Sequence, residues 1–232
     1  MRPRLSPSAS PLALALASAA LLAGCAGAGA SGNGLTADSP AQIVAAAQAA
    51  ASAAASVRVS GSIVSEGKPI SINMELVARQ GGQGRVVLKG IRFRLVGVDG
   101  AVYVSGSTAF YTRFAGAAAA RVMRGKWLKG AQSGAFRSLA SLTRLGSLLG
   151  SALSDHGPLS RAAGATVEGR RAVAVSDAPR GGTLYVASTG TPYPLEIVER
   201  GGGRLVFARW NQAVTLSVPT DAINIHQLQS GR

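Results

Sequence analysis

The stretch Val57-Arg58-Val59-Ser60-Gly61-Ser62-Ile63, followed after a turn by Ile70-Ser71-Ile72-Asn73-Met74-Glu75-Leu76, alternates apolar and polar residues with period two. Successive side chains of a strand point to opposite faces, so each segment is a strand with one apolar face. The intervening Glu66-Gly67-Lys68-Pro69 makes them antiparallel neighbours. Immediately upstream the period is 3.6 instead. Asp38 or Ser39 can cap a helix, Pro40 fits its first turn where the missing N–H costs nothing, and alanine dominates up to Ser56. Ile43, Ala47, Ala50 and Ala54 form a narrow stripe of small side chains, which predicts close packing of this helix onto a flat partner, a sheet.

Downstream the strand pattern continues over residues 85–88, 91–98 and 101–105, with Asp99-Gly100 as a favoured hairpin turn. A helical region then interrupts it. Residues 108–123 place Phe110 and Phe114 four apart, and residues 134–153 carry Phe136, Leu139, Leu142, Leu145, Leu149 and Leu153 along one side, with Gly125-Lys126-Trp127-Leu128-Lys129 between them. Strands are expected again at 166–176, 183–188, 194–200, 204–211 and 215–218, and the last residues read as a short capping turn. Segregated helices and strands predict an α+β fold, with a strongly curved antiparallel sheet wrapping a few helices as the simplest closure. No repeat of 20 to 50 residues is present, which sets solenoids and propellers aside.

The N-terminus has the layout of an export signal. Arg2 and Arg4 give a basic start, Pro11 to Ala23 is an apolar run shorter than the ~20 residues of a membrane span, and it ends on Leu22-Ala23-Gly24-Cys25. These four residues resemble a bacterial lipobox, whose cysteine is acylated and becomes the new N-terminus. The expected organisation is a signal peptide over 1–24, a lipidated Cys25 with a Gly/Ala tether over 25–38, and a folded domain over 39–232. Two or more acyl chains hold a protein firmly on a membrane, so the protein is expected at the outer face of the cell membrane. Cys25 is the only cysteine, so no disulfide can form. Gly27-Ala28-Gly29-Ala30-Ser31-Gly32 matches the dinucleotide fingerprint G-x-G-x-x-G letter for letter, but it lacks the preceding strand and following helix that make the motif work.

Lysine and arginine number 24 against 10 aspartate and glutamate, a formal net charge of +14. Export removes nucleic acid as a partner, leaving anionic phospholipid, phosphorylated glycolipid or an envelope polymer as the counter-surface. Catalytic chemistry is not expected. The two histidines, His156 and His226, stand in a turn and in the C-terminal cap. The carboxylates Glu66, Glu75, Asp155, Glu168, Asp177, Glu196, Glu199 and Asp221 are scattered singly, and no nucleophile elbow, phosphate loop or metal-ligand spacing occurs. No cofactor and no metal is expected.

The apolar strand faces carry Val59, Ile63, Ile72, Met74, Leu76, Phe93 and Leu95 toward helices bearing Phe110, Phe114, Leu139, Leu142 and Leu149. These residues suit an apolar concavity and a closed core equally well. The order of the lipobox, the Gly/Ala tether, the Ala-rich helix, Val102-Tyr103-Val104, Gly125-Lys126-Trp127, Gly182-Thr183-Leu184-Tyr185-Val186-Ala187, Pro192-Tyr193-Pro194-Leu195 and Phe207-Ala208-Arg209-Trp210-Asn211 resembles the actinobacterial LppX/LprG-like lipoproteins of the LolA/LolB-like superfamily. The resemblance implies an unclosed half-barrel holding helices, with a lipid or glycolipid carried or presented in the space between. Arg92 and Arg94 alternate with the apolar residues of their strand, on its opposite face. With Arg121, Arg124, Lys126 and Lys129 they are either solvated charge or a basic rim for phosphate head groups. The alternative function is a non-carrier lipoprotein whose basic face binds a protein partner or an anionic wall polymer.

Overall fold

The computed structural model describes residues 32–65, 67–154, 156–178 and 181–225. Cys25, the leader, Glu66, Asp155 and His226 lie outside the described residues, as does the side chain of Phe114. The first helix, α1 (Pro40–Ala53), is fixed at its start by a capping box: Ser39 accepts from the Gln42 N–H while the Gln42 side chain accepts from the Ser39 N–H. It buries Ile43, Val44, Ala47 and Ala51, with Ala54 buried at its C-cap, so of the expected stripe only Ala50 is not buried, and Val44 and Ala51 are added to it.

Five strands in succession follow: β1 (Ser56–Ser65), β2 (Lys68–Val77), β3 (Gly81–Leu88), β4 (Ile91–Val98) and β5 (Ala101–Gly106). Each pairs antiparallel with the next, in registers such as Val59↔Met74, Ile72↔Val86 and Leu95↔Val104. The Asp99-Gly100 turn has both φ angles positive, as a type I′ hairpin requires. Helix α2 (Thr108–Met123) is two helical pieces meeting at Gly116, whose φ of 85° only glycine adopts without strain.

Several elements differ from the sequence reading. Trp127–Ala131 is a strand, β6, paired with β5. Residues 134–153 are not one helix but a 3-10 turn (Gly134–Phe136), α3 (Arg137–Ser141) and α4 (Leu145–Ser154). The break falls at Thr143, whose hydroxyl donates to the Ala140 carbonyl at 2.8 Å and so competes with helix propagation. The expected strand over 166–176 is instead a hairpin, β7 (Leu159–Val167) and β8 (Arg170–Asp177), because Glu168 and Gly169 both take positive φ and turn the chain.

The chain closes with β9 (Gly182–Ala187), β10 (Pro194–Val198), β11 (Arg204–Ala208) and β12 (Ala222–Asn224). No strand forms at 215–218. That segment crosses the sheet against Gln83, whose side chain bonds Thr215 and Ser217, and leads to β12, which pairs parallel with β6 where a capping turn was expected.

All twelve strands form one sheet in the order β12-β6-β5-β4-β3-β2-β1-β11-β10-β9-β8-β7. The sheet is curved and does not close, so the architecture is the α+β half-barrel anticipated, mixed rather than wholly antiparallel because of β12. Its inner face carries the main core, including Val59, Met74, Leu76, Leu95, Val104, Leu128 and Phe207, under α2, α3 and α4. Helix α1 covers the other half, with Ile43, Val44 and Ala47 against Val173, Val175 and Val186. The tether expected to run to Asp38 is held from Gly32 onward. Asn33 bonds the carbonyls of Ala187 and Gly190, and Leu35 is buried beside α1.

Candidate functional site

Thr143 decides where the helical segment touches the sheet. It is fully buried, and it sits on the paired glycines Gly82 and Gly97 of β3 and β4, where a Cβ on Gly97 would meet the Thr143 hydroxyl at 2.0 Å. The absent side chains allow helix and sheet to approach closely at that end. Toward the opposite end, the sheet and the α3–α4 segment separate and leave a cavity of about 720 Å³.

One wall of the cavity is the sheet from β1 to β4, with Ile63, Ile70, Ile72, Val86, Leu88 and Phe93. Leu139, Leu142, Leu148 and Leu153 of the helical segment form its cover, and Val175, Leu184, Ile197 and Leu205 with Val44 of α1 form the far wall. The register explains why one void can reach so many strands. Ile63 pairs with Ile70, Leu88 with Ile91, Thr183 with Val198 and Gly182 with Asp177, so these strand ends lie side by side at one rim of the half-barrel. There the cavity meets solvent beside the exposed Val64, Ser138, Ser141, His156 and Arg200. Among the described residues, the polar side chains of the lining are Ser138, Ser141, Ser147, His156, Asp177, Thr183, Glu199 and Arg200.

The sequence of this chain matches no family model and no curated protein. Solved structures do match. LprF from Mycobacterium bovis superposes with a TM-score of 0.55 at 13% identity, over 78% of this chain and 96% of that one. The fold is that of LprF. The Mycobacterium tuberculosis lipoprotein LppX superposes with a TM-score of 0.51 at 15% identity, over 77% of this chain and 98% of LppX. In both, nearly the whole neighbour is covered, so the likeness to LprF and LppX extends across sheet and helices together.

Within this LprF-like fold, Ile63, Ile72, Phe93, Leu139 and Leu142 line the cavity, as the sequence suggests for a concavity. Val59, Met74, Leu76 and Leu95 are buried in solid packing on the Thr143 side, Leu149 is buried in the same core, and Phe110 is buried on the cavity-lining Phe93 with ring centres 5.2 Å apart. Closed core and open cavity thus coexist along one face. Sequence reasoning missed Leu184, Ile197 and Leu205, although they have the same inward parity on β9, β10 and β11 and Leu184 pairs directly with Ile197.

None of the six basic candidates lines this cavity. Because Phe93 and Leu95 point inward, Arg92 and Arg94 are exposed on the outer face, where Arg94 lies 4.8 Å above the half-buried Trp127 ring and Lys129 lies 5.6 Å from the ring of the buried Tyr103. Arg121, Arg124 and Lys126 are exposed at the end of α2 and in the loop to β6. The cation at the cavity edge is instead Arg200, in the turn after β10.

The outer face also holds a shallow polar groove of about 580 Å³ between Arg58, Ser60, Ser62, Ser71, Glu168, Arg204 and Arg209. Arg204 grips the buried Glu196 through two hydrogen bonds of 2.6 and 3.0 Å. The hydrogen bond to Glu196 and its negative charge raise the Arg204 pKa above its ordinary value, so the guanidinium stays charged. Among the described residues, no group of three His, Cys, Asp or Glu side chains could hold a metal ion, and no helix is long and apolar enough to cross a membrane.

Proposed function

We propose that this chain is an exported protein, tethered through an acylated Cys25, that holds the acyl chain of a lipid or glycolipid in the inner-face cavity and carries or presents it at the membrane without catalysing a reaction. The observation that carries this reading is the cavity of about 720 Å³ with almost wholly apolar walls, opening at one rim of the half-barrel. That volume lies within the ~300 to 1,000 Å³ of typical ligand sites. The lipobox and the fold shared with the lipoprotein LppX support it.

The energetics suit carriage. Removing a methylene from water is favourable by ~0.8 kcal/mol, but a bilayer and an apolar cavity provide nearly the same environment. Exchange between membrane and protein is then close to isoenergetic, so a chain can be picked up and given back. Titration of the full chain with a fluorescent fatty acid is expected to show saturable binding that survives ~0.5 M salt, where screening has shortened to a few Å. Non-saturable uptake, or none, contradicts the proposal.

A second reading rests on one feature of the outer face. Arg85 and Arg94 stand directly opposite each other on β3 and β4, with Arg92 and Lys129 nearby. Like charges in that position are mutually destabilising, and a polyanion laid across them relieves the repulsion. Combined Arg92→Glu and Arg94→Glu substitution separates the two readings. Acyl binding is expected to be unchanged, whereas loss of all ligand binding favours the polyanion-binding protein.

A further inference from the structure

The apolar cavity has one polar group in its wall that the protein leaves incomplete. Asp177 ends β8, and strand parity puts it on the inner face with Val173 and Val175. It is only 8% exposed and forms part of the cavity lining. One carboxylate oxygen, Oδ2, accepts from the Gly157 N–H at 3.1 Å. The other, Oδ1, is buried and has no hydrogen-bond partner.

A buried acceptor without a donor is costly, and the cost is greater for a carboxylate than for a neutral oxygen. The Gly157 contact accounts for one oxygen only. Arg200, which lines the cavity edge among the described residues, does not neutralise the group either. Its side chain packs over Gly181 in the turn after β8 and makes no ion pair with Asp177. A purely hydrocarbon ligand would leave the deficit in place.

We propose that Asp177 is the polar end of the lipid site, and that its Oδ1 accepts a hydrogen bond from a hydroxyl on the ligand's head group. A hydroxyl is favoured over an ammonium donor because Arg200 at the same rim repels a cationic head. An ionised fatty acid can fill the apolar walls but has no hydrogen to donate, so it leaves Oδ1 unsatisfied and binds through its chain alone. The apolar walls therefore hold the chain while Asp177 reads the head. This inference rests on the carrier reading above and adds to it the residue that reads the head group.

The test compares two probes that share one chain: 1-monopalmitoylglycerol, which has hydroxyls, and methyl palmitate, which has none. Both are measured on the full chain by displacement of a fluorescent fatty acid. The glyceride is expected to bind at least about tenfold more tightly, as one hydrogen bond to a charged acceptor allows. Asp177→Leu is expected to abolish that preference, bringing the two probes to equal affinity, and Asp177→Asn, whose one acceptor oxygen serves either Gly157 or the ligand but not both, to retain at most part of it. Equal binding of both probes to the wild-type chain overturns the role of Asp177 and leaves the carrier reading standing, as does a preference that persists in Asp177→Leu. Failure of both probes to bind the wild-type chain overturns the carrier reading itself, and this inference with it. The wild-type comparison needs no variant, so an Asp177→Leu chain that does not fold leaves the outcome readable.

Discussion

Gly97→Ala is expected to destabilise the protein by about 1–3 kcal/mol, the usual range for overpacking a filled core. The added methyl would lie 2.0 Å from the Thr143 hydroxyl and 2.6 Å from its Cβ, and the side chain it strikes is fully buried. Thr143 cannot rotate away, because its hydroxyl is bonded to the Ala140 carbonyl and Gly82 lies beneath its own carbonyl. The helical segment must therefore lift. For a chain of this size the loss corresponds to about 2–4 °C in Tm per kcal/mol, which a thermal unfolding scan resolves. Thr143→Gly added to Gly97→Ala removes the colliding side chain and is expected to restore part of the loss. An unchanged Tm in Gly97→Ala would mean that the helices do not rest on β3 and β4 where the structure puts them. Because α3 and α4 also form the cover of the cavity, the same substitution is expected to loosen acyl binding.

Trp placed at Leu184 and Ile197 is expected to suppress acyl binding while leaving stability unchanged or raised. These two side chains face each other across β9 and β10, are only partly buried, and line the cavity, so larger groups there enter empty space instead of filled core. Each methylene displaced from the site costs the ligand about 0.8 kcal/mol, so excluding two or three lowers affinity about 15- to 60-fold. Fluorescent fatty acid titration gives the affinity and thermal unfolding gives the stability. Full affinity in Leu184→Trp/Ile197→Trp contradicts the location of the site, and a large drop in Tm contradicts the presence of a void.

The half-barrel was legible because its strands alternate cleanly. Val57–Ile63 and Ile70–Leu76 could be placed, paired and given an inner face from period two alone, and Ser39-Pro40 marked the start of α1. Where reading failed, a local signal was outweighed by a distant one. Residues 134–153 have an unbroken helical stripe, but Thr143 packs on Gly82 and Gly97, more than 40 residues upstream, and the helix breaks there. Trp127–Ala131 is too short to declare itself and becomes a strand because β5 and β12 flank it. Glu168-Gly169 was a turn signal overlooked inside a run that otherwise alternates.

The site was half legible for the same reason. Parity identifies which residues face inward, and it puts Ile63, Ile72 and Phe93 on the face that lines the cavity. Parity cannot say how far a covering helix stands from the sheet, and that distance separates the packed Leu76 and Leu95 from the open Ile72 and Phe93. Asp177 gave no signal of its own, since a lone carboxylate beside a turn is ordinary until its burial and its missing partner are seen.

The central claim, that an acyl chain lies between the inner face of the sheet and the α3–α4 cover, is tested most directly by photolabelling the full chain with a diazirine-bearing palmitate and mapping the modified residues by mass spectrometry. The account predicts saturable labelling, competed by unlabelled lipid, at Ile63, Ile72, Leu148, Leu184 and Ile197. Labelling that does not saturate, or that falls on the outer face around Trp127 and Tyr103, would contradict it.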